Sequence, residues 1–277
     1  MWKFIAKLAI AGAVLWYVFA SLDVEEIFSH IKGCNPLYLL CAFISLLAST
    51  YVSSLRLGIY LKLRPADSAR LYYAGMLFNT VLPGGISGDG YVAYNLKKQH
   101  QISYKKGMQI LLLNRANGLF FLNLLFYAFL LVSEYAKLPY VEATVFGLFF
   151  LQMPVYFIIS RKLLGEDWAL FRRTALYSLA LQILSVTSVV FVFLSLGISS
   201  HLVEYISQFI ASSIVGIIPI TPGGVGVREF VFYKGSKLID LDAEFAVASS
   251  LAYFALYLLI SFIGFYYILK GKKHGST

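Results

Sequence analysis

Apolar residues along this chain fall into long runs, with polar residues gathered into short gaps between them. Six runs, at roughly 4–20, 36–61, 107–132, 140–160, 174–196 and 243–269, reach the length of about 20 apolar residues that an α-helix needs to cross a bilayer. Four shorter runs come in two pairs, 69–82 with 88–98 and 203–219 with 225–237. Each pair is broken by a Pro-Gly-Gly turn, Pro83-Gly84-Gly85 in the first and Pro222-Gly223-Gly224 in the second. Proline stops the incoming helix and glycine opens backbone conformations closed to other residues. Non-helical backbone at membrane depth survives only where protein or a watery cavity covers it. The pattern therefore predicts an all-α polytopic membrane protein with about six transmembrane helices and two re-entrant helical hairpins.

Charge gives the layout a direction. With the amino terminus placed in the cytoplasm, sixteen basic residues fall on cytoplasmic segments and four on outer ones. Most of the acids, among them Asp23, Glu25, Glu26, Asp240, Asp242 and Glu244, fall outside. This is the positive-inside bias of a multi-pass protein, here of an inner or plasma membrane with both termini cytoplasmic. The first hairpin then enters from the cytoplasm and the second from outside. The chain reads as a single transmembrane domain, 1–277, holding repeat 1 (about 36–132), a linking helix (140–160) and repeat 2 (about 174–269). The repeats are inverted, so their Pro-Gly-Gly tips are expected to meet near the midplane, where such folds bind substrate.

Composition agrees. The chain is 59% hydrophobic and 13% charged, and its mean hydropathy is +0.75, against about 25% charged residues in soluble domains. Topology accounts for the net charge of +9, and no nucleic-acid-binding motif accompanies it. The run at 4–20 lacks a small-residue cleavage site and is read as a retained span. Cys34 and Cys41, seven residues apart on one helix, are poor disulfide partners and read as packing residues. The four histidines have no metal-ligand spacing, and neither a nucleotide-binding glycine loop nor a nucleophile elbow is present. No metal and no cofactor are expected.

Chemistry concentrates near the two tips. Helix starts after Gly84-Gly85 and Gly223-Gly224 offer free N–H groups suited to an anion. Asp89 follows the first tip, and Arg228 and Glu229 follow the second. Aligning the two prolines sets Asp89 opposite Arg228, either as a structural ion pair or as head-group contacts. Arg115 lies about 13 Å into its span at 1.5 Å per residue, flanked by Asn114 and Asn117, and an intramembrane arginine is by default a functional residue. Arg56 lies nearer a helix end, within snorkelling reach of water, on a face shared with Ser45, Ser49 and Ser53. Ser178, Gln182 and Ser185 make a second polar stripe, and helix-to-helix hydrogen bonding is the commoner use of such stripes.

Three elements resemble the lysylphosphatidylglycerol synthase transmembrane-region family, also described as flippase-like domains. They are Leu82-Pro83-Gly84-Gly85 through Gly88-Asp89, Asn114-Arg115 with Gly118, and Thr221-Pro222-Gly223-Gly224-Val225-Gly226-Val227-Arg228-Glu229. The chain departs from the family pattern at Val92 and Tyr94, where relatives often carry an arginine, and at Asn114, where they often carry an acid. The resemblance implies translocation of an anionic phospholipid or a polyprenyl-phosphate-linked sugar. The substrate-binding residues would be Arg115, Arg228, Asp89, Glu229, Gly84, Gly85, Gly223, Gly224, Asn114 and Asn117. No aminoacyl-transferase segment follows, so synthase activity is not expected and the chain is read as a transporter, not an enzyme. The alternatives are a small-solute or ion transporter, a lipid-modifying membrane enzyme using Asp89 and Glu229, and an accessory subunit.

Overall fold

Short polar caps at the ends of apolar runs set the element boundaries. In the computed structural model, residues 2–82, 87–163, 165, 168–217 and 221–272 are described, and among them there is helix and no strand. Helix α1 (Trp2–Phe19) turns sharply into α2 (Val24–Lys32), whose N-cap Asp23 accepts from the N–H groups of Glu25 and Glu26. Helix α3 (Pro36–Leu61) starts at Asn35, which accepts from Leu37 N–H and is followed by proline at the first helical position, where the missing N–H costs nothing. Helix α6 (Tyr104–Val132) starts at Ser103. It is followed by α7 (Val141–Ile158), which runs on through a wider turn at Ile159–Leu163, and by α8 (Trp168–Ser195). Helix α11 (Ala243–Ser261) starts at Asp242, bends at Phe262 and continues as α12 (Ile263–Lys272).

Five of these elements are long and apolar enough to cross a membrane: 36–61, 104–132, 141–161, 168–195 and 243–270. The sixth expected span, 4–20, is α1, which qualifies only together with α2 across a bend of 91°. The chain is an all-α, multi-pass membrane protein. Cys34 and Cys41 are free thiols, and they do not share a helix as expected, since Cys34 precedes the N-cap of α3.

The shorter runs form two helix pairs. Helix α4 (Pro65–Val81) packs on α5 (Ser87–His100), and α9 (Leu202–Val215) packs on α10 (Val227–Leu238). At 12 to 17 residues they measure about 18–26 Å, less than a hydrocarbon core of about 30 Å. The first tip, Pro83, Gly84, Gly85 and Ile86, lies outside the described residues. Each pair sits between two spans in chain order, α3 and α6 for the first and α8 and α11 for the second.

Two contacts hold the first pair at its angle. A Cβ on Gly88 would lie 1.9 Å from the Gly75 carbonyl oxygen, so the α4 and α5 backbones touch there. A Cβ on Gly264 would lie 2.2 Å from the Tyr73 carbonyl oxygen, where α12 crosses α4. The polar stripes lace α3 to α8. Ser45 and Ser49 donate to the Leu184 and Leu181 carbonyls, each at 2.9 Å, and Ser188 donates back to the Ala42 carbonyl at 2.8 Å. In lipid, where apolar burial gives helices little reason to associate, such bonds and close packing supply the adhesion. The core behind them holds Leu46, Val189, Phe193, Ile210, Phe232 and Ile260.

Candidate functional site

Glycine-driven geometry brings the second tip against the first pair. Gly223 and Gly224 take φ of 59° and 81°, which L side chains rarely adopt. The turn lies against the end of α4, where a Cβ on Gly223 would sit 3.1 Å from the Thr80 carbonyl oxygen. Between the two pairs lies a cavity of about 310 Å³, walled by Arg56 from α3, Tyr72, Asn79 and Thr80 from α4, and Asp89 from α5. Asn114 and Arg115 from α6, Thr221, Gly223, Gly224 and Arg228 from the second tip, and Tyr257 from α11 also line it.

Asp89 occupies the first turn of α5, with its carboxylate 2.6 Å from Arg115 Nε. Asn79 donates to Asp89 Oδ1 at 3.5 Å and accepts from Gly88 N–H at 2.8 Å, which ties the start of α5 to α4. Of the two readings of Asp89 opposite Arg228, the structural ion pair is not the one formed, since the acid meets Arg115 instead. Aligned prolines mark matching places in the sequence, and such a match does not require contact. Arg115, at mid-span, finds its acid on the neighbouring helix α5.

Arg56 is inside and does not snorkel. It is 5% exposed, with Nε donating to Asn114 Oδ1 at 2.9 Å and Nη1 to Ser178 Oγ at 2.8 Å. Gly118 leaves it room, since a Cβ there would stand 3.2 Å from Nη2. Distance from the helix end suggested otherwise. The signal that pointed inward was its place on the Ser45, Ser49, Ser53 face.

Other expected site residues lie off the cavity. Asn117 is fully buried, donates to Tyr156 Oη at 3.0 Å and Thr174 Oγ1 at 3.3 Å, and accepts from Ser178 Oγ. It ties α6 to α7 and α8. Glu229 is 1% exposed. Its Oε2 accepts from Gly226 N–H at 2.6 Å and its Oε1 from Ser250 Oγ at 2.7 Å, so it caps α10 and fastens it to α11. Gly84 and Gly85 lie outside the described residues.

Sequence reasoning passed over Thr221. It is 3% exposed, lines the cavity, and its hydroxyl has no hydrogen-bond partner among the described residues. A threonine before proline carries no sequence signal beyond turn chemistry. Outside the cavity, Glu26 and His30, one turn apart on α2, come within 4.8 Å of Asp242. Spacing along the chain did not show that grouping, because Asp242 arrives from another helix. The described cavity wall holds three arginines against one carboxylate, which suits an anionic guest.

The family model described as "Lysylphosphatidylglycerol synthase TM region" matches residues 4–164 and 148–264. A comparison with curated proteins yields no match.

Proposed function

The chain belongs to the lysylphosphatidylglycerol synthase TM-region family, and from that membership we propose that it moves an anionic lipid between the leaflets of the cytoplasmic membrane. The observation that carries this reading is the arginine-lined cavity at the meeting of the two broken helix pairs. A head group with a phosphate enters it, while the apolar tail stays in the bilayer. The substrate is an anionic phospholipid or a polyprenyl-phosphate-linked sugar. The two hairpins are re-entrant and belong to inverted repeats, which rock to open the cavity to each face in turn. The excess of basic residues on one set of loops supports cytoplasmic termini.

Transport fits the wall better than lipid chemistry does. Glu229 spends both oxygens on Gly226 and Ser250. That leaves Asp89, paired with Arg115, as the carboxylate of the described wall. The carboxylate pair that acid–base work by Asp89 and Glu229 would need is therefore not assembled in this wall.

The test is a flipping assay in proteoliposomes carrying tail-labelled fluorescent phosphatidylglycerol, with a membrane-impermeant quencher added outside. The protein is expected to expose label from the inner leaflet beyond the half quenched in empty vesicles, and Arg115→Ala to abolish the excess. Quenching that stays at half with phosphatidylglycerol and with a polyprenyl phosphate probe would refute the reading.

A further inference from the structure

The three cavity arginines are not equivalent. Arg115 is engaged by Asp89, and Arg56 by Asn114 and Ser178. Arg228 makes no hydrogen bond and no ion pair with any described residue, and its Nε is closed off from water without an acceptor. The ring of Tyr253 lies 5.9 Å from the guanidinium carbon. The guanidinium rests in a notch of bare backbone, where a Cβ on Gly216 or Gly224 would lie 3.6 or 3.4 Å from Nε. Thr221, seven residues earlier, brings a second polar atom with no partner to the same wall. Buried donors are nearly always satisfied, so a cation and a hydroxyl left unmatched in one wall indicate a partner that comes and goes.

We propose that Thr221 and Arg228 form the anion subsite of the cavity, built for a tetrahedral oxyanion of the phosphate class, and that Arg115 and Arg56 position the wall. The guanidinium fork takes two terminal phosphate oxygens, and the Thr221 hydroxyl donates to a third oxygen, terminal in free phosphate or a phosphomonoester and an ester oxygen in a phosphodiester. A carboxylate would spend both oxygens on the fork and leave the threonine unmatched. The subsite rests on the translocation reading only for the identity of the phosphate as a lipid head group. Free phosphate has the same chemistry.

Full-length protein in uncharged detergent tests this with two probes, sodium phosphate against sodium chloride at equal ionic strength, and phosphatidylglycerol against a phosphate-free diacylglycerol of the same chains, each in mixed micelles. The phosphate-bearing probes are expected to raise the melting midpoint of the wild type. Thr221→Val is expected to weaken the apparent affinity about tenfold or more, the loss typical of a hydrogen bond to a charged group. Its melting midpoint without probe should equal or exceed that of the wild type, because an unmatched hydroxyl is gone. Arg228→Lys keeps the charge and loses the fork, and is expected to weaken binding by a similar factor. A response to phosphatidylglycerol alone supports the subsite as a head-group site, and a response to sodium phosphate as well supports it as a general phosphate site. Equal affinities in wild type, Thr221→Val and Arg228→Lys, or no response of the wild type to either probe, would overturn the subsite. Binding that follows these residues in a protein that flips nothing leaves the subsite standing and removes translocation. Flipping that ignores both substitutions does the reverse.

Discussion

Breaking the Asp89–Arg115 pair tests the geometry of the cavity at its centre. The two charges meet at 2.6 Å, with the Asp89 side chain 11% and the Arg115 side chain 32% exposed. Exposed ion pairs contribute about 0.2–1 kcal/mol, and removing one partner of a fully buried pair costs about 3–5 kcal/mol. A pair with one nearly buried and one partly open member falls between, so a double-mutant cycle of Asp89→Asn with Arg115→Gln should give a coupling of about 2 kcal/mol. At about 2–4 °C per kcal/mol, that is roughly 4–8 °C in melting midpoint. The assay is thermal unfolding of wild type, both single variants and the double variant in one detergent. The double variant should be more stable than the two single losses added together. A second cycle, Asp89→Asn with Arg228→Gln, should give a smaller coupling, because the two charges share a cavity wall but form no ion pair. Coupling absent from the first cycle or larger in the second would refute the pairing.

Gly88→Ala should do more than an ordinary core substitution, because its Cβ would stand 1.9 Å from backbone and not from a side chain that could move. A loss above the usual overpacking cost of about 1–3 kcal/mol is expected, read as loss of the monodisperse peak on size exclusion, and a normal peak with an unchanged melting midpoint would contradict the α4–α5 contact. Glu229→Ala leaves Gly226 N–H and Ser250 Oγ without acceptors and should cost about 2–4 kcal/mol, whereas a loss below about 1 kcal/mol in thermal unfolding would show that Glu229 is not the cap. Tyr135, in the turn Glu134–Lys137 outside the spans, donates to the Gly235 carbonyl at 3.0 Å and accepts from Gln208 at 2.7 Å, and burial pushes its hydroxyl up to about 12. The folded state therefore holds the proton where the unfolded chain releases it. This stability is fully present below about pH 10 and is lost as pH rises through the folded value, so alkaline melting should be less steep in Tyr135→Phe, and identical slopes would count against it.

The run lengths of apolar residues determined the helical class, the main spans and the two broken pairs, because membrane thickness imposes a length that composition alone can meet. Pro83-Gly84-Gly85 and Pro222-Gly223-Gly224 stood out for the same reason, as interruptions where an unbroken apolar run would otherwise continue. Asp89, Arg115 and Arg228 were legible as the charges nearest membrane depth, and all three line the cavity. Sequence could not say which charge pairs with which. That depends on how the helix pairs pack, and in the first pair α4 meets α5 at Gly88 and α12 at Gly264 through backbone contact. Nor could it separate Glu229 from Arg228, neighbours in the chain that point to different work, one capping a helix inside the core and one facing the cavity. Arg56 and Thr221 belong to the wall because α6, α8 and the second tip close over them. A side chain's partners are decided by elements far away in sequence, and a linear pattern carries the depth of a residue but not the company it keeps there.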